Sequence, residues 1–252
     1  MTKIIAIANQ KGGVGKTTTA INLSTAMAAI EKKILLVDAD PQGNASTGLG
    51  VAVEKRVPSF YDLITNQMLD LNAIKETSIP NLSIISSTLD LAASEIELAE
   101  MHNRESVVKN ILKEVDGYDY IFIDCPPALG LLTINSLVAA NSVIVPLQCE
   151  FFALEGLSAL IGTIEKIKSS LNTSIELEGV VLTMYDRRNS LSSLVEQDVR
   201  GHFKEKVYNT VIPRNVRISE APSHGKPVLI YDTHCIGSQA YIGLAKEVIL
   251  KQ

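Results

Sequence analysis

Short apolar runs alternate with longer stretches of mixed polarity along most of the chain. The apolar runs predict strands buried on both faces, at 3–9, 34–37, 82–85, 120–123, 143–147 and 180–184, with a weaker signal at 208–212. From Lys16 onward, apolar residues recur with the three- and four-residue spacing of a helix. The same spacing predicts further helices at 94–101, 107–115, 131–139, 157–170, 191–203 and 238–250.

Strands and helices that alternate in this way predict an α/β fold, in which a mostly parallel, twisted sheet is covered by helices on both faces. Ligands of such sheets bind beyond the carboxyl ends of the strands. No Gly/Ser linker, repeat or low-complexity tract interrupts the pattern. We therefore expect residues 1–252 to form a single domain.

A glycine-rich segment, 12–18, joins the first predicted strand to the first predicted helix. Glycines at such a junction let successive backbone N–H groups point at phosphate oxygens, and the helix N-terminus adds its partial positive charge. Lys16 would then reach the β- and γ-phosphates of a nucleotide, and the Thr17 hydroxyl would bind Mg²⁺. This position favours a P-loop NTPase-like site for ATP and Mg²⁺ over a glycine turn that carries a surface lysine.

The segment departs from the general phosphate-loop pattern at two positions. Gln10 stands where that pattern has its first glycine, and a second lysine, Lys11, precedes the glycine pair. Lys11 lies on the strand side of the loop, so a neighbouring subunit could receive its ammonium group; the plain alternative is an exposed lysine without a role. With these features the segment resembles the deviant Walker A ATPases of the ParA and MinD superfamily.

The resemblance implies a homodimer that forms with ATP, in which Lys11 contacts the partner's nucleotide and neutralises charge in the transition state. The expected nucleotide-binding residues of the loop are Lys11, Gly12, Gly13, Val14, Gly15, Lys16, Thr17 and Thr18.

Carboxylates follow two of the predicted strands. Asp124 comes directly after the strand 120–123, and Asp40 lies at the end of the strand 34–37. Either could simply cap a helix or a loop, but metal-assisted hydrolysis requires acidic groups near the phosphates. The resemblance implies that Asp124 holds Mg²⁺ through water, whereas Asp40 orients and activates the attacking water. Asp38 is expected to organise the loop.

The metal is thus expected among Thr17, Asp40 and Asp124, and the catalytic residues are expected to be Lys11, Lys16 and Asp40.

Segments later in the chain resemble one group within that superfamily. The residues 212–217 and 219–227, together with 184–188, closely resemble the chromosomal ParA proteins, often called Soj, over essentially the whole chain. In such proteins the positions of Pro213 and Asn215 hold the adenine, and basic residues at Arg188 and Arg217 contact DNA. The resemblance also implies a slow ATPase that a ParB-type partner stimulates, and it leaves open whether Arg187 or Arg188 faces DNA.

The distribution of charge bears on the DNA prediction. A net charge of −5 argues against a protein that coats nucleic acid over its whole surface. The segment 185–226, however, carries eight Lys or Arg against five acidic residues, which is +3, and the rest of the chain is −8. Solvated faces would explain this on charge alone. Two such patches side by side in a dimer would bind DNA phosphates without sequence preference.

The apolar stretches, the N-terminus and the cysteines indicate the cellular compartment of the protein. No apolar stretch approaches the ~20 residues of a membrane span, and the N-terminus has no signal-peptide pattern. Cys125, Cys149 and Cys235 are odd in number and widely spaced, which favours neither a disulfide framework nor a zinc site. We expect a cytoplasmic protein associated with the nucleoid.

The resemblance implies a role in chromosome or plasmid partitioning, and three other functions compete with it. A MinD-like, membrane-associated division-site ATPase would need a basic amphipathic helix, but the apolar positions of 238–250 are expected to pack in the core. An iron–sulfur carrier would need paired cysteines. A biosynthetic ATP-dependent ligase would need a pocket for an organic substrate, for which the sequence offers no marker.

Overall fold

Seven strands form one sheet in the computed structural model, which describes residues 2–251. They are β1 (Lys3–Ile7), β2 (Ile34–Asp38), β3 (Ile74–Glu76), β4 (Leu82–Ile85), β5 (Tyr120–Asp124), β6 (Ser142–Gln148) and β7 (Glu176–Thr183). Their order is β3-β4-β2-β5-β1-β6-β7. Every neighbouring pair is parallel except β3 and β4. The mostly parallel sheet is therefore confirmed.

The seven predicted helices are present within a few residues of their expected bounds, and the described residues contain four short helices that were not predicted. The helices are α1 (Lys16–Ala28), α2 (Asn44–Gly48), α3 (Phe60–Asn66), α4 (Ser94–Glu100), α5 (Val107–Lys113), α6 (Leu131–Ala139), α7 (Ala153–Ser170), α8 (Ser190–Phe203), α9 (Val216–Glu220), α10 (Val228–Tyr231) and α11 (Ile236–Leu250). Of these, α2, α3, α9 and α10 are the four that were not predicted. Short 3₁₀ turns occupy Val53–Lys55, Leu71–Ala73, Leu89–Ala93, Lys204–Lys206 and Ala221–His224.

The central strands are apolar on both faces because each face carries its own layer of helices. In β2, Leu35 and Val37 pack with α3 to α8 on one side, whereas Ile34 and Leu36 pack with α1, α10 and α11 on the other. All four residues are fully buried. Successive side chains of a strand point to opposite faces, so an unbroken apolar run is what a sheet buried on both sides requires.

The predicted strand at 208–212 is wrong as a regular strand. Val207 forms an isolated bridge with Val180, and the N–H groups of Tyr208 and Ile212 donate to the β7 carbonyls of Val180 and Leu182. The N–H groups of Asn209 and Thr210 donate to the Glu247 carboxylate, at 2.8 and 2.7 Å. The Glu247 side chain thus takes the two N–H groups in the middle of the segment and interrupts a regular ladder with β7.

The register of the sheet places the predicted site at one edge. Asp38 and Asp124 end β2 and β5 and face each other across the two strands. Ile7, the last residue of β1, pairs with Asp124 on its other side. Asp40 lies two residues beyond β2 rather than on it. The carboxyl ends of three adjacent strands therefore meet beside the glycine-rich segment.

Candidate nucleotide and magnesium site

The phosphate loop, residues 10–18, contains the glycine-rich segment 12–18, and its last three residues form the first turn of α1. Gly13 and Gly15 have φ values of 74° and 88°, a left-handed conformation that glycine adopts without strain. Thr183, at the end of β7, donates a hydrogen bond of 2.8 Å to the Val14 carbonyl. The loop is thereby fixed against the sheet with its backbone turned around the N-terminus of α1.

Lys16 lies inside the loop with only 7% of its surface exposed. Its ammonium donates to the Lys11 carbonyl at 3.0 Å. Burial lowers the pKa of Lys16, while the negative charges of Asp124 and Asp40 oppose that change. A buried cation with one carbonyl partner among residues 2–251 is well suited to receive phosphate oxygens.

Asp124 is fully buried at the end of β5. Neither carboxylate oxygen has a hydrogen bond of normal geometry among the described residues. Burial raises the pKa of Asp124 well above its ordinary value, and the charge of Asp38 adds to this, although the nearby Thr17 hydroxyl lowers it. Buried polar groups normally have partners, so this carboxylate fits a site whose remaining members are a metal ion and its water.

Asp38 and Asp40 lie close together but have different surroundings. The Asp38 carboxylate accepts hydrogen bonds from the backbone and hydroxyl of Ser46, at 2.8 and 2.7 Å, and so anchors α2. Burial raises the pKa of Asp38 to about 6, against the effect of these bonds. Asp40 is 8% exposed and accepts one hydrogen bond, from the backbone of Gln42. Asp38 thus organises the loop, as expected, and Asp40 keeps one carboxylate oxygen without a protein partner among residues 2–251.

Lys11 points away from the interior of its own phosphate loop. Its ammonium forms an ion pair with Glu150, in the loop between β6 and α7, and the two side chains are 43% and 45% exposed. The Lys11 backbone is held by the Asn9 side chain at 3.0 Å, and Asn9 in turn donates to the Pro146 carbonyl. The loop therefore presents one lysine inward, Lys16, and one outward.

A cavity of about 280 Å³ adjoins the phosphate loop, near the lower end of the roughly 300–1,000 Å³ of small-molecule sites. Gly15 and Thr18 form one wall, and Pro213 and Asn215 form the other. The Asn215 side chain also caps α9, because its oxygen accepts the Arg217 N–H at 2.9 Å. The structure thus brings the predicted base-binding residues to the phosphate loop.

The two predicted DNA contacts lie in different surroundings. Arg188 is 89% exposed and pairs with Asp186 at 2.9 Å. Arg217 pairs with Glu220 at 3.0 Å and with Asp232 at 3.5 Å.

Two buttressing residues escape the sequence analysis. Arg56 is buried and donates to Thr47 and to the carbonyls of Gly43 and Val51, so it holds the loop that carries Asp40. Glu95 accepts the N–H groups of Leu131 and Leu132, at 2.7 and 3.1 Å, and so caps α6 after the loop that follows Asp124. No motif marks either residue: Arg56 contacts carbonyls 5 and 13 positions earlier in the chain, and Glu95 contacts N–H groups 36 and 37 positions later.

A phosphate loop before α1, an enclosed lysine and a carboxylate at the end of β5 define a P-loop nucleotide-binding protein. A family model described as "AAA domain" matches residues 2–177. The chain is 55% identical to the chromosome partitioning protein ParA of Caulobacter vibrioides, over 99% of this chain and 95% of that protein. It is 53% identical to the sporulation initiation inhibitor protein Soj of Bacillus subtilis, over 98% of each.

The solved structure of a cobyrinic acid a,c-diamide synthase from Mycobacterium smegmatis, with bound ADP and magnesium, superposes with a TM-score of 0.86. It is 34% identical, over 99% of this chain and 94% of that one. The chain belongs to the ParA/Soj family of chromosome-partitioning ATPases.

Proposed function

We propose that residues 1–252 act as one domain that binds ATP and Mg²⁺, dimerises with ATP, binds DNA without sequence preference and hydrolyses ATP slowly in chromosome or plasmid partitioning. The observation that carries this proposal is the outward position of Lys11. This position supports the proposal, because Lys11 is half-exposed on the rim of the phosphate loop and its ammonium pairs only with Glu150 among residues 2–251. A second subunit facing the loop would receive it.

The residues at the carboxyl ends of β1, β2 and β5 fit MgATP. The backbone from Gly12 to Thr18 and the Lys16 ammonium would hold the phosphates, and Pro213 and Asn215 would hold the base. Thr17 and Asp124 would hold Mg²⁺, with Asp40 close by; this small set of oxygen groups suits an ion that keeps water and phosphate ligands. The bound ion would neutralise charge on the phosphate oxygens.

Hydrolysis requires that a water molecule attack the γ-phosphate while the bond to the β-phosphate oxygen breaks. Asp40 would orient this water, because it is the carboxylate of the site with one oxygen accepting a loop N–H and the other available. Lys16 stabilises the phosphate charge from within the subunit, and Lys11 would add a second cation from the partner. A lone subunit would then be an incomplete catalyst.

The nucleotide state, rather than ADP as a product, would be the output of this cycle. The ATP-bound dimer would place two copies of the basic segment, with Arg188 and Arg217, against one DNA duplex, and phosphate contacts in both halves would add. A ParB-type partner would accelerate hydrolysis and so release the protein from the nucleoid. The relatives named for chromosome partitioning support this role.

The MinD-like alternative is less well supported. It needs an amphipathic helix with a free apolar face, but the apolar face of α11 is occupied, since Tyr241, Leu244 and Val248 are buried in the core. Solved MinD structures share the fold at 25% and 29% identity, well below the identity to the partitioning proteins.

Co-sedimentation with non-specific duplex DNA tests the proposal in three nucleotide states: with ATP, with ADP and without nucleotide. The same three states are tested in parallel with anionic liposomes. We expect DNA binding with ATP alone and no binding to liposomes. Equal DNA binding in all three nucleotide states would contradict the proposed switch, and ATP-dependent binding to liposomes would favour the MinD-like alternative.

A further inference from the structure

The cap of α6 comes from another helix. Gly130, at the N-cap position of α6, has no side chain with which to accept the first N–H groups of that helix. Glu95 of α4 takes this place, because its two carboxylate oxygens accept the N–H groups of Leu131 and Leu132, at 2.7 and 3.1 Å. Glu95 forms no ion pair within residues 2–251, and a carboxylate at a helix N-terminus interacts favourably with the helix dipole. Its charge therefore stabilises the start of α6.

The sequence makes room for this contact at Gly130. The backbone of Gly130 is extended, with φ −84° and ψ −172°, a conformation that any residue adopts. The backbone therefore does not require a glycine at this position. A Cβ atom on Gly130 would overlap a carboxylate oxygen of Glu95, so the glycine is needed for the close approach of that side chain.

The capped end of α6 fixes the loop that follows Asp124. This loop, residues 125–130, is the whole connection between β5 and α6. At its start, the Cys125 N–H donates to the last residue of β1 at 3.2 Å. Near its end, the Thr133 hydroxyl donates to the Ala128 carbonyl at 2.6 Å. A short loop with both ends fixed has few possible paths, so the position of α6 determines the path of the chain beside Asp124.

The same loop has backbone donors to offer. The N–H groups of Ala128, Leu129 and Gly130 have no backbone hydrogen-bond partner within residues 2–251. Fixed N–H groups stabilise charge that develops on a reacting oxygen, and they do so only when they are held in place. A displacement of ~1 Å far from the reacting atoms can lower a rate about 100-fold.

The segment that carries Glu95 is also attached to the loop of Asp38. The Ser87 N–H donates to the Ser46 hydroxyl at 3.1 Å, and that hydroxyl donates to the Asp38 carboxylate at 2.7 Å. Residues 87–95, which we call the bridging segment, therefore contact the two acidic loops of the site, one through Ser46 and the other through Glu95. The bridging segment fixes the position of one loop relative to the other.

We propose that Glu95 is a positioning residue for ATP hydrolysis. It holds the start of α6, and through α6 the loop 125–130, so that the free N–H groups of this loop reach the γ-phosphate or the attacking water when ATP is bound. Asp124 itself belongs to β5 and does not depend on this cap. The inference rests on the nucleotide site proposed above, and it gives Glu95 a part in the rate of hydrolysis rather than in the binding of ATP.

The test compares Glu95 with Glu97, an acid on the same helix. Both side chains are half-buried, and both accept two hydrogen bonds. Those of Glu97 come from the Tyr61 and Thr65 hydroxyls of α3, at 2.8 and 2.9 Å. Glu95→Ala and Glu97→Ala thus remove the same charge and the same number of bonds, but only Glu95→Ala removes the cap of α6. For each variant, kcat and KM for ATP are measured, and NMR follows the exchange of backbone amide hydrogens in the nucleotide-free protein.

We expect Glu95→Ala to lower kcat about fivefold, the factor that corresponds to a typical helix cap of ~1 kcal/mol. KM for ATP should not change, because Glu95 does not line the base pocket or belong to the phosphate loop. The amide hydrogens of Leu131 and Leu132 should exchange about fivefold faster or more. Glu97→Ala should match the wild type in all three quantities. Glu95→Gln keeps one carbonyl oxygen as an acceptor, so its kcat should lie between those of the wild type and Glu95→Ala.

Equal kcat in Glu95→Ala and Glu97→Ala would overturn the proposal and leave the proposed function intact. A rise in KM that accounts for the whole loss of activity in Glu95→Ala, or unchanged exchange of the two amide hydrogens, would overturn it as well. If Glu95→Ala does not fold, Glu95→Gln decides by the same measurements. A wild-type protein that does not hydrolyse ATP would instead contradict the proposed function.

Discussion

Replacing Glu150 by Gln should tighten the ATP-dependent dimer. In the described subunit Lys11 is paired with Glu150, and both side chains are about half exposed. For Lys11 to reach the nucleotide of a partner, this pair must separate, and it must do so once in each subunit. The ion pair therefore favours the monomer, and Gln removes the charge with little change of shape.

The size of the effect follows from the exposure of the pair. Exposed ion pairs contribute ~0.2–1 kcal/mol, because water and salt screen them. Two pairs in a dimer amount to about 0.4–2 kcal/mol, which corresponds to a roughly 2- to 30-fold lower dimer dissociation constant. The effect should shrink at high salt, since the Debye length falls to ~3 Å at 1 M.

Analytical ultracentrifugation with ATP measures the dimer, in an Asp40→Ala background that prevents turnover. Glu155→Gln serves as the control, since Glu155 is a neighbouring acid in the first turn of α7 and forms no ion pair within residues 2–251. A Glu150→Gln dimer as weak as the control or weaker would show that Glu150 does not restrain Lys11.

Two further variants test the phosphate loop and the metal carboxylate. Lys16→Ala should lose ATP binding in calorimetric titration, and normal affinity would remove Lys16 from the phosphate site. Asp124→Asn should raise the thermal midpoint of the nucleotide-free protein, and the rise should be larger at pH 8 than at pH 5. Each kcal/mol gained in the free energy of unfolding corresponds to a rise of about 2–4 °C. The sign follows because burial raises the pKa of Asp124 above its ordinary 3.8, so the folded protein loses stability as the pH rises through that window. The same variant should lose stabilisation by MgATP in thermal-shift measurements. An equal rise of the midpoint over wild type at both pH values, or full stabilisation by MgATP, would contradict the role of Asp124 as the buried metal carboxylate.

The phosphate loop was predictable because its chemistry lies in consecutive residues. A glycine segment between an apolar strand and a helix fixes the place of Lys16 without knowledge of any distant contact. The carboxyl ends of parallel strands then bring Asp124 and the Asp38–Asp40 segment to the same edge. The sheet was predictable for a related reason, since strands buried on both faces are unbroken apolar runs.

The remaining features depend on contacts between distant segments. Glu150 pairs with Lys11 across 139 positions, and Arg56 supports a loop only through carbonyls and one hydroxyl, so neither has a local signal. The strand β3 is short, half exposed and antiparallel, and its Ile-Lys-Glu sequence has no apolar run. The segment 208–212 has such a run, but Glu247 takes the N–H groups of Asn209 and Thr210 in its middle.

Mixing two inactive variants shows whether Lys11 acts across the dimer. Lys11→Ala lacks the donated cation, and Asp40→Ala binds ATP but hydrolyses it poorly. In a mixed dimer the site of the Lys11→Ala subunit keeps Asp40 and receives Lys11 from its partner. Random pairing of equal amounts should therefore restore about a quarter of the wild-type ATPase sites. A mixture no more active than its two components would contradict the account, because Lys11 would then serve only its own subunit.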